Sequence, residues 1–376
     1  MNPFEYSNPV GADTLIDRDT ETKTLVDRAV DGHNSRLVAP RRYGKTSLLG
    51  RVGDELAKEG FAYVYVNFFG VLTAADIAQR IELAYGQQLT GRLAAWFAAV
   101  RRGLTPTLGA HAGVGVAGVS AQVKLDPAAQ QSVLERLALP RRLHDQRGTR
   151  ALVVFDEFQD VLAASDQMDA VIRSEIEQHG DAASYIFAGS KPGMMRELFT
   201  SKRRAFYAQT GAVDLDTLEP QDLAEYMYAR FERGNRTLTG AIDGLLDVGA
   251  GHPQRTMQLA HFLWEQTPAA AVADEEAFAR ALDTVMNEVA DELRAVWTGV
   301  TDSQRRVLVA VAEDLAGLHT AASQARVGGS RSGAPRKAAQ ALIDSGDLVA
   351  DTRTLTGYRL ADPLLAMWVR ARGQTS

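Results

Sequence analysis

The sequence predicts an α/β fold: a parallel sheet core with helices on both faces, then a helical domain, then a small domain of three helices and a β-wing. Three observations carry this. Short apolar runs alternate with helical periodicity through residues 1–216, the pattern of βα units in a parallel sheet. A turn bearing Gly44 and Lys45 joins the first run to a helix. After Leu218-Glu219-Pro220 the signal becomes helical and stays so to about Val300.

The elements follow in order. Asn2-Pro3-Phe4 and Asn8-Pro9-Val10 are extended or turn segments in a lead-in. Leu25, Val26 and Ala29 give Asp19 to Val30 the spacing of a short helix. Arg36 to Val38 starts the first core strand, and the helix after the turn runs to about Glu59. Phe61 to Phe68 is β-branched and aromatic, a second strand. Thr73 to Val100 reads as one helix, and Pro127 to Gln146 as another. Between them, residues 105–125 alternate valine with small residues, which predicts a β-hairpin-like insertion. Ala151 to Phe155 and Tyr185 to Ala188 are continuous apolar runs, suited to strands buried on both faces. Gln167 to His179 is an amphipathic helix between them, and Val213 to Leu215 is the last strand of the core, which spans 1–216.

Residues 217–299 form the helical lid domain, with helices at Asp222–Arg233, Ala241–Val248, Gln254–Glu265 and Asp274–Thr298. Residues 300–376 read as a winged helix. Its helices are Asp302–Leu315, Thr320–Ala325 and Ala334–Ser345, and its wing strands are Leu348–Ala350 and Tyr358–Leu360.

The chemistry sits at the ends of the core strands. Ala39-Pro40-Arg41-Arg42-Tyr43-Gly44-Lys45-Thr46, followed by Ser47, fits the phosphate-binding pattern G-x-x-x-x-G-K-[ST] except at its first position. Successive backbone N–H groups at a helix N-terminus make an anion nest. The residues Pro40 to Ser47 therefore form the candidate nucleotide cradle. Lys45 supplies charge to the β- and γ-phosphates, and the Thr46 hydroxyl is a candidate Mg²⁺ ligand. The strand Ala151–Phe155 ends in Asp156 and Glu157. Open α/β sheets bind ligands at that edge, so Asp156 is assigned to Mg²⁺ and Glu157 to polarising the attacking water. Ser190 ends the Tyr185 strand. It either contacts the γ-phosphate or the attacking water, or caps the next turn. The candidate catalytic set is Glu157, Lys45 and Ser190, and the cofactors are ATP and Mg²⁺.

Composition sets bounds. The 376 residues are 45% hydrophobic and 23% charged, with formal charge −6, which does not announce a nucleic-acid binder. Thr301 to Ser376 carries ten Lys or Arg against seven Asp or Glu, a local +3 that leaves −9 on the remainder. The absence of cysteine excludes disulfides, thiolate zinc sites and cysteine nucleophiles. His111 has no ligand-spaced partner and is assigned no metal. No signal peptide and no membrane span are expected, and the expected location is cytoplasmic.

Together these residues resemble the archaeal-type ATPases, a branch of the STAND class close to the AAA+ superfamily. The likeness rests on Asn2-Pro3-Phe4 with Ile16-Asp17-Arg18-Asp19, on Pro40–Ser47, and on Phe155-Asp156-Glu157. It continues through Ala188-Gly189-Ser190 with Met194-Met195, Gly251-His252-Pro253, and Leu360-Ala361-Asp362-Pro363-Leu364 with Trp368. The resemblance implies an ATPase in which Pro253 borders the nucleotide and Arg255 is positioned to serve as a second sensor. Departures are Ala39 in place of the loop's first glycine and Asp17 where the lead-in commonly has glycine. Tyr207-Ala208-Gln209 also lacks the arginine usual there, with Arg203 and Arg204 nearby.

Three functions are compatible with this sequence. One is a nucleotide-dependent switch with slow Mg-ATP hydrolysis that works on a protein partner or by self-association. A second is a DNA-associated ATPase that sets Arg331, Arg336 and Lys337 of the winged helix against duplex DNA. The third is a nucleotide-binding scaffold without turnover.

Overall fold

A computed structural model describes residues 2–11, 14–105, 127–315 and 334–373. The chain divides into two compact units. One comprises Asp19–Val38 and Leu48–Asp214; the other comprises Met1–Arg18, Ala39–Ser47 and Leu215–Ser376.

The first unit is an α/β sheet structure. Its strands are β1 (Ser35–Val38), β2 (Ala62–Asn67), β3 (Ala151–Asp156), β4 (Ala183–Gly189) and β5 (Gly211–Asp214). They form one sheet in the order β2-β3-β4-β1-β5, and every pairing is parallel. The central strands β3 and β4 are buried at every residue, as their unbroken apolar runs require. On β2 burial alternates, with Val64 and Val66 inside. The surrounding helices are α1 (Asp19–Val30), α2 (Lys45–Lys58), α3 (Ala74–Gln88), α4 (Gly91–Arg101), α5 (Pro127–Leu137), α6 (Leu139–Arg147), α7 (Met168–Ile176) and α8 (Pro192–Thr200). Of these, α2 begins with the last residues of the loop Ala39–Ser47, which group with the other unit.

Two expected helices are broken. The Thr73–Val100 stretch divides into α3 and α4, because Leu89 and Thr90 are extended and Gly91 has φ +54°. The Pro127–Gln146 stretch divides at Ala138, with Pro140 in the first turn of α6. A proline there lacks only an N–H that has no intrahelical partner in any case. The hairpin expected at 105–125 lies, apart from Thr105, outside the described residues.

The second unit is largely helical. It contains α9 (Pro220–Arg233), α10 (Ala241–Gly249), α11 (Pro253–Gln266), α12 (Glu275–Gly299) and α13 (Asp302–Ala312). Then come α14 (Ala334–Ser345), the antiparallel pair β8 (Leu348–Ala350) and β9 (Tyr358–Leu360), and α15 (Pro363–Gly373). A two-residue parallel pair, β6 (Thr237–Leu238) with β7 (Val272–Ala273), was not expected from sequence. Asp274 caps α12 by accepting from Ala277 N, and Thr301 with Gln304 forms a capping box on α13. One apolar cluster runs from Phe4 through Phe231, Leu263 and Leu308 to Val369. Phe4 anchors the lead-in there, its ring 5.5 Å from Phe231 and 5.8 Å from Trp264. The expected helix Thr320–Ala325 lies outside the described residues.

Candidate functional site

β1 ends at Val38, and the loop Ala39–Gly44 leads into α2 at Lys45. Two loop residues are left-handed, Arg42 at φ +68° and Gly44 at φ +86°. Left-handed residues before a helix N-terminus are the backbone geometry of an anion nest. Ala39 is not among the left-handed residues, so the missing first glycine costs no strain there. A Cβ on Gly44 would meet nothing within 4 Å. Its left-handed backbone angle favours glycine at this position. Arg42 adopts its unfavourable angle at a cost of about 1–2 kcal/mol.

Lys45 is buried, and its Nζ donates to the Ala39 carbonyl at 3.2 Å. Ala39 thus contributes its backbone oxygen. Thr46 is exposed. Ser47 is buried, and its hydroxyl accepts from Val10 N at 3.0 Å, which ties the lead-in to the loop. These residues wall a cavity of about 440 Å³ within the second unit, a volume in the range of small-molecule sites. Arg42 to Ser47 line one side, and Leu15, Ile16, Tyr226 and Met257 supply apolar surface. Pro253 and Gln254, at the start of α11, complete the wall. Pro40 is buried and Arg41 exposed, and neither lines the cavity. The lead-in and α9 contributions were not read from sequence; the Asn-Pro turns gave no sign of what they pack against.

Asp17 and Arg18 are both left-handed, at φ +51° and +95°. This accounts for a glycine preference at the position of Asp17. Aspartate tolerates the region, and its Oδ1 accepts from Arg18 N at 2.7 Å.

The loop is also tied to the C-terminal elements. The buried Tyr43 hydroxyl donates to Ala361 O at 3.0 Å and accepts from Arg359 Nη1 at 2.9 Å. Arg359 pairs in turn with Asp216 at 3.0 Å. Burial raises the Tyr43 phenol above its ordinary pKa, so the hydroxyl keeps its proton. His252 meets the Tyr43 ring edge to face at 5.0 Å. Burial lowers His252 to about 4, and its neutral Nδ1 accepts from Arg255 N at 3.2 Å, capping α11.

Arg255 does not line the cavity. It is buried against Asp362 at 2.6 Å, Glu292 at 3.1 Å and Gln258 at 2.9 Å. Burial pushes the Asp362 carboxyl up, but hydrogen bonding and charge from Arg255 outweigh it and hold the group below its ordinary value. Arg42 pairs with the same Glu292. The guanidinium expected as a second sensor is therefore engaged in a structural ion-pair cluster.

The acid pair lies in the first unit, at the carboxyl end of β3. Asp156 is buried; its Oδ1 accepts from Glu157 N at 2.9 Å and its Oδ2 from the Tyr65 hydroxyl at 2.5 Å. Each oxygen keeps a lone pair for a water or an ion. Among the described residues no group of three or more His, Cys, Asp or Glu gathers as a metal site. A divalent ion at Asp156 would complete its shell from hydroxyl, phosphate and water oxygens, as Mg²⁺ commonly does.

Glu157 is left-handed at φ +50°. The next residue, Phe158, is fully buried against Phe187 at 4.7 Å and Phe206 at 5.3 Å, and this packing holds the turn. Ser190 is buried. Its hydroxyl donates to Glu157 Oε2 at 2.7 Å. It does not cap the next helix, where Lys191 stands at the cap. Arg204 pairs with Asp166 and Glu197, and Arg203 is exposed. Arg336 and Lys337 are exposed on α14; Arg331 lies outside the described residues.

No protein-family model and no curated protein sequence matches the chain. Solved structures do. The Walker-type ATPase PABY2304 of Pyrococcus abyssi is similar over 98% of this chain and 99% of its own, with a TM-score of 0.69 at 16% identity. The ORC2 protein of Aeropyrum pernix in its ADPNP-ADP complexes is similar over 99% of this chain and 97% of its own, with a TM-score of 0.59 at 19% identity. Its ADP form gives 98%, 97%, 0.53 and 17% in the same order. At these identities the likeness is one of fold, and the chain has the α/β P-loop fold of these proteins.

Proposed function

We propose that the protein is an archaeal-type ATPase of the STAND class, a nucleotide-dependent switch that hydrolyses Mg-ATP slowly. The observation that carries this reading is the left-handed loop Arg42–Gly44, which walls a nucleotide-sized cavity and is tied through Tyr43 to Ala361 and Arg359. The fold shared with a Walker-type ATPase and with a protein seen in ADPNP-ADP complexes supports it.

In this reading the loop amides and Lys45 hold the phosphates, and Pro253 borders the nucleotide. Thr46 and Asp156 are the residues that would hold Mg²⁺, which neutralises phosphate charge when bound. Glu157 accepts the proton of the attacking water, and Ser190 orients it. Slow turnover is supported by the engagement of Arg255 with Asp362 and Glu292 and of Arg204 with Glu197 and Asp166. An arginine finger contributes about 10³-fold or more where one acts.

A nucleotide that binds more tightly when Tyr43 is joined to Ala361 and Arg359 than when it is not would act as a switch through this contact. The partner is a protein or a second copy. No described helix is long and apolar enough to cross a membrane.

The test is titration calorimetry with Mg-ATP on the parent and on Lys45→Ala, with turnover measured with and without duplex DNA. High-affinity binding lost in the variant is the expected outcome; unchanged affinity refutes the assignment of the loop. The DNA-associated reading is favoured by the exposed Arg336 and Lys337. It predicts stimulation by duplex, and binding that falls with salt by about 0.9 in log K per log salt for each phosphate contacted. Joint replacement of Arg331, Arg336 and Lys337 by glutamate abolishes that binding if the reading holds.

A further inference from the structure

The turn after β3 contains a glutamine to which the phosphate-loop pattern gives no role. Gln159 is fully buried. Its Nε2 donates to Glu157 Oε2 at 2.6 Å and lies 3.3 Å from Asp160 Oδ1. Its Oε1 is buried without a hydrogen-bond partner. A half-satisfied buried amide is costly, and an apolar side chain would fill the same space without that cost. The neighbouring strand leaves room for it: a Cβ on Gly189 would come within 2.4 Å of Gln159 Oε1 and 2.6 Å of Met195 Cγ.

The donors on Glu157 converge. Ser190 Oγ at 2.7 Å, Ser190 N at 3.3 Å and Gln159 Nε2 all meet the same oxygen, Oε2. Sheet order gives this direction meaning. β4 lies between β3 and β1, so a Glu157 held to Ser190 is turned toward the β1 side. On the opposite side β2 ends at Asn67, whose Oδ1 is already taken by Phe69 N at 2.7 Å.

We infer that Gln159 is a positioning residue for ATP hydrolysis, fixing Glu157 Oε2 against Ser190 and leaving Glu157 Oε1 for the attacking water. The inference rests on the ATPase reading above. In the step it serves, the water oxygen bonds to the γ-phosphorus and its proton passes to Glu157 Oε1. The bond from that phosphorus to the β–γ bridging oxygen breaks, and ADP leaves with the electron pair.

The test compares Mg-ATP turnover and affinity in the full-length parent, Gln159→Leu, Gln159→Asn, Gly189→Ala and Glu157→Gln, with thermal melts alongside. Gln159→Leu is expected to lower kcat about tenfold with affinity for ATP nearly unchanged. Gly189→Ala is expected to do the same by displacing the amide. In the Glu157→Gln background, Gln159→Leu should add nothing, since the two act as a unit. Gln159→Asn keeps the amide but shortens its reach to Glu157 Oε2, so kcat should fall while affinity for ATP and the melting temperature stay near the parent's. A merely structural role would move stability and affinity and would not split them from kcat.

Parental kcat in Gln159→Leu with a slow Glu157→Gln overturns the role of Gln159 and leaves Glu157 standing. A parent without turnover, or Glu157→Gln at the parental rate, overturns both. Should Gln159→Leu melt early, Gln159→Asn carries the test, and parental kcat there is the refuting result.

Discussion

Tyr43→Phe isolates the tie between the phosphate loop and the C-terminal elements. The change removes one oxygen and leaves the ring, with its edge-to-face contact to His252, in place. Two hydrogen bonds go, one to the Ala361 carbonyl and one from the Arg359 guanidinium. A neutral bond contributes about 0.5–1.5 kcal/mol and one to a charged group about 1.5–3 kcal/mol, so the loss is about 2–4.5 kcal/mol. Arg359 keeps its pairing with Asp216 and therefore relaxes rather than standing unpaired, which places the effect at the lower end. If the tie is made in the nucleotide-holding state and broken on release, about 2 kcal/mol corresponds to roughly a thirtyfold faster release. The assay is stopped-flow displacement of a fluorescent ADP from the parent, Tyr43→Phe, Arg359→Ala and the double variant. The two changes should couple, the double variant releasing little faster than the faster single one. Release at the parental rate in Tyr43→Phe, or strictly additive effects, would refute the claim that this contact is part of the switch.

Three further outcomes are expected. Gly44→Ala forces a side chain onto φ +86°, with no protein atom within 4 Å of the added carbon. It should weaken Mg-ATP binding about tenfold through about 1–2 kcal/mol of backbone strain, as read by calorimetry; unaltered affinity would show that the left-handed turn is dispensable. Asp156→Ala should reduce the Mg²⁺ dependence of ATP binding and leave metal-free binding nearly unchanged, measured by titration with and without chelator. The third concerns acid stability. His252 and His179 are buried with pKa values lowered from 6.5 to about 4, so below pH 6.5 the unfolded chain binds protons that the folded chain refuses. Stability should fall from pH 6.5 to about 4, by up to roughly 3 kcal/mol for each histidine. His252→Asn should flatten that slope in denaturant melts at stepped pH; an identical slope would remove His252 from the account.

The parts legible in sequence were those where one residue type answers to one local demand. Ala151–Phe155 is apolar throughout because β3 is buried on both faces, and Gly44 is glycine because φ there is +86°. The helix Glu275–Gly299 was legible as Asp274–Thr298, although Asp274 caps the helix and does not open it. What was hidden depends on partners distant in the chain. Nothing near Phe4 tells that it meets Phe231 and Trp264, and nothing near Arg255 tells that Asp362 and Glu292 will engage it. Apolar spacing ran on through Thr90, so the break before α4 was missed, although Gly91 at φ +54° marks it.

The case of Ala39 shows how a motif misleads when it is read as letters. The pattern asks for glycine, and alanine departs from it. In the fold the left-handed angle falls on Arg42, while Ala39 supplies only a carbonyl to Lys45. A phosphate loop needs particular backbone angles at particular places, and this chain meets the demand at a residue that can also reach Glu292. The strain at Arg42 is thereby coupled to the ion-pair cluster of Arg255 and Asp362. Breaking that cluster by Glu292→Gln should therefore loosen the loop more than an exposed charge change elsewhere on α12, because a backbone angle of this kind persists only while its surroundings over-determine it.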